Sequence, residues 1–518
     1  MKAVTAEVMQ QLDKRTIAEY GIPGIDLMER AGANTAAIIL QRYGDKPAPS
    51  AVIFAGKGNN GGDGYVIARL LAMKGWEITL LVIADRSAIK GDARANLDRL
   101  PLGLRLTFID RFSPQELELL CSRATLLVDA LFGTGLQNGL SGLYAEAAGI
   151  INSAGKPVLA VDIASGVDAT TGRIPGLAVK ADITVTFGAA KLGHLLYPGA
   201  GYTGELVVTD IGIPEALVAA APGVLFVDES YASSLIMPRS RTAHKGNNGH
   251  LLLVAGSAGK SGAASMAANS AMRSGAGLVT LAAPASIHSV LEIKTTEAMT
   301  VGLAENGCGA LSAAAFPEIE ALLVGRNALA IGPGVGLAPD TVSLVRRVVA
   351  TASLPLVLDA DGLNAFSGEP SLLLNSVSPA LLLTPHPGEM ARLAGITVAE
   401  VEADRLTIAA RFAADHNVYL ILKGARTVIA APDGRLAING SGNPGMASGG
   451  MGDVLTGVLS ALLAQGYEPF AACCLAVFCH GLAGDMAAGK IGEVGMIATD
   501  VQEMLPYAFK RLAEKQSL

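Results

Sequence analysis

The chain has little of what would place it outside the cell, in a membrane or on a nucleic acid. Its five cysteines, Cys121, Cys308, Cys473, Cys474 and Cys479, are few, odd in number and never spaced C-x-x-C. That pattern indicates neither a disulfide framework nor a zinc site and leaves buried, reduced thiols as the expectation. Only 16% of the residues are charged, so long disordered tails are not expected. Acidic side chains outnumber basic ones 46 to 39, a net charge of −7, and no Lys/Arg stripe interleaves with aromatics. This argues against a nucleic-acid partner. Any phosphate must be held locally. Uninterrupted apolar stretches of about 18 residues are missing too; the best candidates, 370–388 and 469–484, are broken by Pro, Gly or His and read as buried core. The first dozen residues carry Lys2 and Glu7 and lack the apolar region of about 7–15 residues typical of a secretory signal. A cytoplasmic protein with no membrane partner is expected.

What the chain does have is apolar material and glycine. It has 518 residues, 51% of them hydrophobic, enough for sizeable cores and for roughly 3 domain units or two large ones. Its 61 glycines recur at the ends of short apolar runs, each run followed by a turn and an Ala/Leu-rich helical stretch, the rhythm of parallel α/β layers. Runs at 51–56, 79–83, 125–129 and 157–162 read as buried strands of one sheet. The rhythm restarts at 249–255 and continues at 328–331, 354–358, 380–384 and 418–422, which makes a second sheet. Between them, 211–248 carries Pro214, Pro222-Gly223, Pro238 and a basic stretch from Arg239 to Lys245, all linker chemistry. The boundary is placed near residue 222, giving domains 1–222 and 223–518.

In the first half, Gly56-Lys-Gly-Asn-Asn-Gly-Gly-Asp-Gly64 follows a strand and precedes a helix predicted over 65–74. Backbone amides in such a glycine loop, together with a helix N-terminus, suit pyrophosphate. Lys57 is not followed by the Ser or Thr of a Walker A motif, and the glycine spacing does not fit a dinucleotide fingerprint. Asp129 before Gly133-Thr-Gly135, and Asp162 before Ser165, Gly166 and Asp168, stand at two further strand ends. Ligands of open α/β sheets collect there, so these acids should converge with the Asn59-Asn60 loop and offer oxygen ligands to a cation; the alternative is that Asp129 and Asp162 cap helices. Lys191 could meet the acids, but a lone lysine is usually solvated.

In the second half, Asn443-Pro-Gly-Met-Ala-Ser-Gly-Gly-Met-Gly-Asp453 opens an apolar helix predicted over 454–464. Its glycines let backbone amides surround a transferring phosphate, and Asp453 at the helix N-terminus can accept a hydroxyl proton. Segments 332–336, 358–364, 384–390 and 423–427 end other strands and should line the same cleft. His386, between two prolines, is held extended and is assigned to ligand contact. His480, inside an apolar helix, reads as packed.

Taken in order, these segments resemble the bifunctional NAD(P)H-hydrate repair enzymes, an NAD(P)HX epimerase fused to an ADP-dependent NAD(P)HX dehydratase, over nearly the whole chain. The likeness rests on 26–32, 58–64, 129–135 and 162–168, then on 239–249, the second-half segments above and Gly449-Gly-Met-Gly-Asp453, which is similar to ribokinase-like kinases. The resemblance implies an α/β fold of two domains, an N-terminal Rossmann-like three-layer αβα unit and a C-terminal ribokinase-like αβα unit. It implies a potassium ion on Asn60, Asp129 and Ser165. The hydrated nucleotide would meet Asn59, Asn60, Gly61, Gly62, Asp63, Asp162 and the run Gly133, Thr134, Gly135, Leu136, Gln137, Asn138 and Gly139. In the second domain it implies adenine nucleotide, ADP with magnesium, on Lys423, Gly424, Ala425, Arg426, Thr427 and Gly452. There Ala263, Gly334, His386 and Asp453 would face the substrate. Asp453 and Asp162 are the expected catalytic groups, and a homo-oligomer is expected. The rival readings are a ribokinase-type small-molecule kinase and, for the first half, a non-catalytic ligand-binding module.

Overall fold

A computed structural model of the chain describes residues 1–111, 113–136 and 138–516. It divides into two compact units between Val224 and Leu225. In the first, Thr5 opens the helix Ala6–Tyr20: its hydroxyl accepts from the Val8 amide at 3.2 Å, satisfying a donor the first turn leaves open. The helix Gly24–Tyr43 follows. Seven strands then form one parallel sheet: β1 (Ser50–Ala55), β2 (Glu77–Val82), β3 (Arg105–Phe108), β4 (Leu126–Ala130), β5 (Val158–Val161), β6 (Ile183–Phe187) and β7 (Glu205–Thr209). Their order is β3-β2-β1-β4-β5-β6-β7, the Rossmann arrangement. Ile53, Leu80 and Val128 are buried on one face and Val52, Phe54 and Leu127 on the other, so both faces are covered and the strands read as continuous apolar runs.

Winding reverses between β1 and β4, and a crevice opens at their carboxyl ends. The helix after β1 begins at Asn59, not at Tyr65 as the sequence suggests: the supposed phosphate loop 59–64 is the first part of the helix Asn59–Met73. Glycine permits this, because a side chain at Gly61 would collide with the Gly56 carbonyl. The Tyr65 hydroxyl donates to that same carbonyl at 3.0 Å.

The second unit holds β8 (Val224–Val227), β9 (His250–Val254), β10 (Leu278–Pro284), β11 (Met299–Leu303), β12 (Ala328–Ile331), β13 (Leu356–Leu358), β14 (Leu381–Leu383), β15 (Tyr419–Leu422), β16 (Val428–Ala430) and β17 (Leu436–Asn439). Their order is β11-β10-β9-β12-β13-β14-β15-β16-β17-β8. Pairing is parallel from β11 to β15, antiparallel across β15-β16-β17, and parallel again between β17 and β8. Helices Ser261–Arg273, Met451–Ala464, Pro469–Ile491 and Ala498–Gln516 bury their apolar sides in one core; Pro339–Thr351 and Arg405–His416 serve the core on the other face. Pro469–Ile491 is long and apolar enough to cross a membrane by length and composition, yet most of it is buried in this core.

Three local expectations change. The stretch 211–248 is not mere linker: it contains the helices Glu215–Ala220 and Glu229–Ser234 with β8 between them. The helix predicted from residue 454 starts at Met451, so Asp453 lies inside its first turn. Cys308 is exposed, while the other four cysteines are buried.

Helices Ser261–Arg273 and Met451–Ala464 approach closely at Gly457, where an added Cβ would collide with the Ala267 carbonyl and lie 2.8 Å from the Ser270 Cβ. Gly457→Ala should therefore destabilise the second unit by about 1–3 kcal/mol through overpacking. Urea unfolding checks this; an unchanged midpoint for that unit would contradict it.

Candidate active sites

The first site is a cavity of about 580 Å³ at the carboxyl ends of β1, β4, β5 and β6. At the end of β5, Asp162 has φ 67°, so it turns out of the strand and caps no helix. Its Oδ1 accepts from Lys191 Nζ at 2.6 Å and from the Thr186 hydroxyl at 3.1 Å. Lys191, expected in solvent, is 1% exposed, and its ammonium also donates to the Thr186 hydroxyl at 2.7 Å and the Phe187 carbonyl at 3.2 Å. Burial works to raise the Asp162 carboxyl, but Lys191, by charge and hydrogen bond, with His194 and Thr186, outweighs it and holds the group below the usual range. The His194 Nδ1 accepts from the Lys191 amide at 3.0 Å, which leaves Nε2–H to donate to the Asp162 carbonyl at 2.9 Å. Burial, helped by Lys191, lowers that imidazole to about 4, so it is neutral.

Beside this group lies Asp129, fully buried. Its Oδ1 accepts from the Ser165 hydroxyl at 2.7 Å and the Leu131 amide at 3.2 Å, and its Oδ2 from the Ser165 amide at 2.8 Å. Burial lifts its carboxyl to about 6 against those hydrogen bonds. Asn60 is 8% exposed, and both polar atoms of its amide are buried without a hydrogen-bond partner among the described residues. A buried, unsatisfied amide is costly unless a ligand completes it. Asn59, Asn60, Asp63, Gly133, Thr134 and Gly135 line the cavity; burial holds the Asp63 carboxyl well above its usual value. Gly133 admits the Asp162 carboxylate, whose Oδ2 would lie 2.9 Å from an added Cβ. Gly61 and Gly62 face the Gly56 carbonyl and Met28 instead, so they serve helix packing, and Gly139 sits against Pro175. Leu136 and Asn138 are outside the cavity lining, and Gln137 lies outside the described residues.

The second site is built on a buried carboxylate that the sequence reading left without a role. Asp359, 1% exposed after β13, accepts from the Thr384 hydroxyl at 2.6 Å, Lys423 Nζ at 3.0 Å and the Thr456 hydroxyl at 2.7 Å. Lys423 also lies 3.8 Å from Glu389. Burial works against its charge, but Asp359 and Glu389 more than restore it. Asp453 occupies the third position of its helix, after Gly450 at φ 88°, and makes no hydrogen bond or ion pair among the described residues. Burial, then the charge of Asp359, raises its carboxyl to about 7, with Lys423 opposing. Gly452 stands between: an added Cβ there would lie 3.3 Å from Lys423 Nζ.

The remaining expected residues divide. Ala263 and Gly334 are neighbours, since an added Cβ at Gly334 would lie 3.3 Å from that of Ala263. His386 caps the helix Pro387–Ala394: its Nδ1 accepts from the Gly388 and Glu389 amides, and its Nε2 lies 3.5 Å from the Glu389 carboxylate, on a ring that is half exposed. The turn 423–427 is tied down by Arg405, which donates to the carbonyls of Leu422, Lys423 and Ala425, and by the Thr427 hydroxyl on the Gly424 carbonyl. Arg426 points elsewhere, donating to the Gly440 carbonyl. His194, Thr456 and Arg405 are polar groups missed from sequence; Asp359 and Thr384 fell in segments expected to line the cleft but were given no role, and Lys191 was weighed against the acids but expected in solvent. A lysine four residues past the end of the apolar strand Ile183–Phe187 was the one signal available for Lys191.

A Rossmann-ordered unit and a second, mainly parallel α/β unit, each with a paired acid at a strand end and an unpaired acid on a helix, define a two-site α/β enzyme. Residues 24–193 match the family model described as YjeF-related protein N-terminus, and 251–507 the model described as NAD(P)H-hydrate dehydratase. The chain is 44% identical over 519 residues to the bifunctional NAD(P)H-hydrate repair enzyme Nnr of Moorella thermoacetica, covering 99% of this chain and 98% of that one. It is 38% identical to the enzyme of the same name from Thermofilum pendens, covering 99% and 97%. A solved structure, the ADP/ATP-dependent NAD(P)H-hydrate dehydratase from Bacillus subtilis co-crystallised with ATP and Mg2+, is 30% identical with a TM-score of 0.49 and covers 56% of this chain and 99% of that one. The chain belongs to the family of bifunctional NAD(P)H-hydrate repair enzymes.

Removing one partner of the buried Asp162–Lys191 pair tests the electrostatics of the first site. Lys191→Met should cost about 3–5 kcal/mol near neutral pH, because it strands a buried carboxylate. In the wild type the depressed Asp162 contributes stability above its unfolded pKa that is lost as pH falls through the folded value. In the variant the carboxyl is raised instead, so its deficit should shrink as pH falls toward about 4. Denaturant melts across that range check this, and a deficit independent of pH would contradict it.

Proposed function

We propose that the first unit interconverts the R and S epimers of NAD(P)HX and that the second dehydrates the S epimer with ADP as phosphoryl donor, giving NAD(P)H, AMP and phosphate. One observation carries the reading: Asp453 sits unpaired in the first turn of a helix, beside an Asp359–Lys423 pair that is already satisfied. A base with its carboxyl near 7 is poised to exchange protons at neutral pH.

Water added to the nicotinamide ring leaves a hydroxyl on C6, a poor leaving group until it is phosphorylated. Asp453 takes the hydroxyl proton, and the oxygen attacks the terminal phosphorus of ADP as the bond to AMP breaks. The amides of the turn before the helix face the charge that develops, and Lys423 supplies a fixed positive charge nearby. The ring nitrogen then expels phosphate from C6, and loss of a C5 proton restores the dihydropyridine. Lys423, Gly424, Ala425, Thr427, Gly452 and the backbone of Arg426 would hold the nucleotide, with magnesium entering on its phosphates. Ala263, Gly334 and the half-exposed His386 ring would meet the hydrated nicotinamide.

In the first unit, Asp162 moves the proton at the C6 hydroxyl, and Asn59, Asn60, Asp63 and the 133–135 turn receive the nucleotide. The buried Asn60 amide oxygen has no partner among the described residues, and with the buried Asp129 carboxylate and Ser165 hydroxyl it makes an all-oxygen donor set whose chemistry fits an alkali cation. Potassium there would supply a fixed positive charge near the nucleotide phosphates. Asn60, Asp129 and Ser165 would hold it.

Mixed NADHX epimers and ADP, incubated with the full chain, test both halves at once through the return of reduced-nicotinamide absorbance. Wild type should convert both epimers, with dehydration kcat/KM rising with pH through about 7 as Asp453 deprotonates. Asp162→Asn should stop once the S epimer is consumed, and Asp453→Asn should lose about 10²–10⁴-fold in dehydration. Accumulation of a stable phosphorylated product, or a fully active Asp453→Asn, would contradict the reading.

A further inference from the structure

The epimerase cavity contains one more group able to move protons. C6 of the hydrated ring bears a hydroxyl and the ring nitrogen N1, so it is a hemiaminal. Its configuration is lost when the C6–N1 bond opens and the ring recloses on the other face of the aldehyde. That step needs a base for the hydroxyl proton and an acid for N1. Asp162 suits the base, because Lys191 and Thr186 keep it ionised. Lys191 cannot be the acid while its three N–H bonds go to Asp162, Thr186 and Phe187; it is a positioning residue.

We propose that Asp13, on the helix Ala6–Tyr20, is the general acid of the epimerase site, donating to N1 as Asp162 takes the hydroxyl proton. Met9, Asp13 and Ile17, at i, i+4 and i+8, present one helix face to the cavity, while Leu131, Gly133 and Asp162 line it from the strand ends. The two carboxyls therefore line one cavity, Asp13 from a helix and Asp162 from a strand end. The groups facing Asp13 are Lys191, Asp162 and Asp63, with Lys14, Lys57 and Asp92 also on the lining. Burial raises the Asp13 carboxyl to about 6, Lys191 opposing and Asp162 assisting. Burial holds the Asp63 carboxyl well above its usual value, with Asp162 and Asp13 adding to it. Two acids in one cavity whose proton affinities are pushed in opposite directions divide the roles of acid and base.

In balance, the O–H proton passes to the Asp162 carboxylate, C6 becomes a carbonyl, the C6–N1 pair goes to N1, and N1 takes the Asp13 proton. Rotation about C5–C6 and the reverse transfers restore both groups, and no water enters or leaves. This inference rests on the epimerase reading of the first unit.

The test is epimerisation of purified R-NADHX by full-length protein across pH, without ADP. Asp13→Asn, nearly isosteric, should lower kcat about 100-fold or more with KM little changed. It should also abolish the fall in wild-type kcat/KM above about pH 6. Asp13→Glu, which keeps the acid, should regain at least about tenfold over Asp13→Asn. An Asp13→Asn rate within about threefold of wild type, or a slow variant whose pH profile is unchanged, would overturn the role of Asp13 alone. A wild type that binds the substrate without epimerising it would overturn the reading of the unit and this inference with it.

Discussion

Neighbouring buried carboxylates are not all ionised freely, because burial and mutual repulsion both favour the neutral form and one lysine compensates only the acid it touches. Each site in this chain is organised around that constraint. In the second unit Lys423 and two threonine hydroxyls satisfy Asp359, and Asp453, left outside that arrangement, is pushed to about 7. In the first unit Lys191 and Thr186 satisfy Asp162, and Asp13 is pushed to about 6. Burial is the largest cause in both, the paired acid adds to it and its lysine opposes it, and the unpaired acid acquires a proton affinity useful near neutral pH.

The folds place these pairs by similar means. Parallel strands end together, so side chains separated widely in sequence, such as Asp359, Thr384 and Lys423, converge at one crevice. A helix that starts at the crevice contributes the acid or the amide: Asp453 from Met451–Ala464 in one unit, Asn60 from Asn59–Met73 in the other. Close helix packing at Gly457 and Gly61 fixes where those starts lie, which ties the chemistry to packing remote from it.

Much of this was legible in the sequence because its signals are local. Apolar runs ending in glycine mark buried parallel strands, and the glycine-rich approach to Asp453 marks a helix start whatever the tertiary context. The ends of elements were less legible: asparagine and glycine at 59–64 have weak helix propensity, and only packing against the Gly56 carbonyl draws them into the helix. Pairing was not legible at all. Lys191 reads as a solvated lysine until the sheet brings Thr186, Phe187 and Asp162 around it, and Asp359 has no visible role until Thr384, Lys423 and Thr456 close on it. His386 was recognised as unusual for its flanking prolines, but its capping of the next helix emerges only from the fold.

The proton affinity of Asp453 is set by burial and by the adjoining Asp359–Lys423 pair. Carbon-13 NMR of protein labelled at aspartate carboxyls, with Asp453→Asn to assign the signal, measures it directly. The account predicts an Asp453 resonance titrating near about 7 and moving higher in Lys423→Met; an Asp453 carboxyl that titrates in the ordinary aspartate range, near about 4, would contradict it.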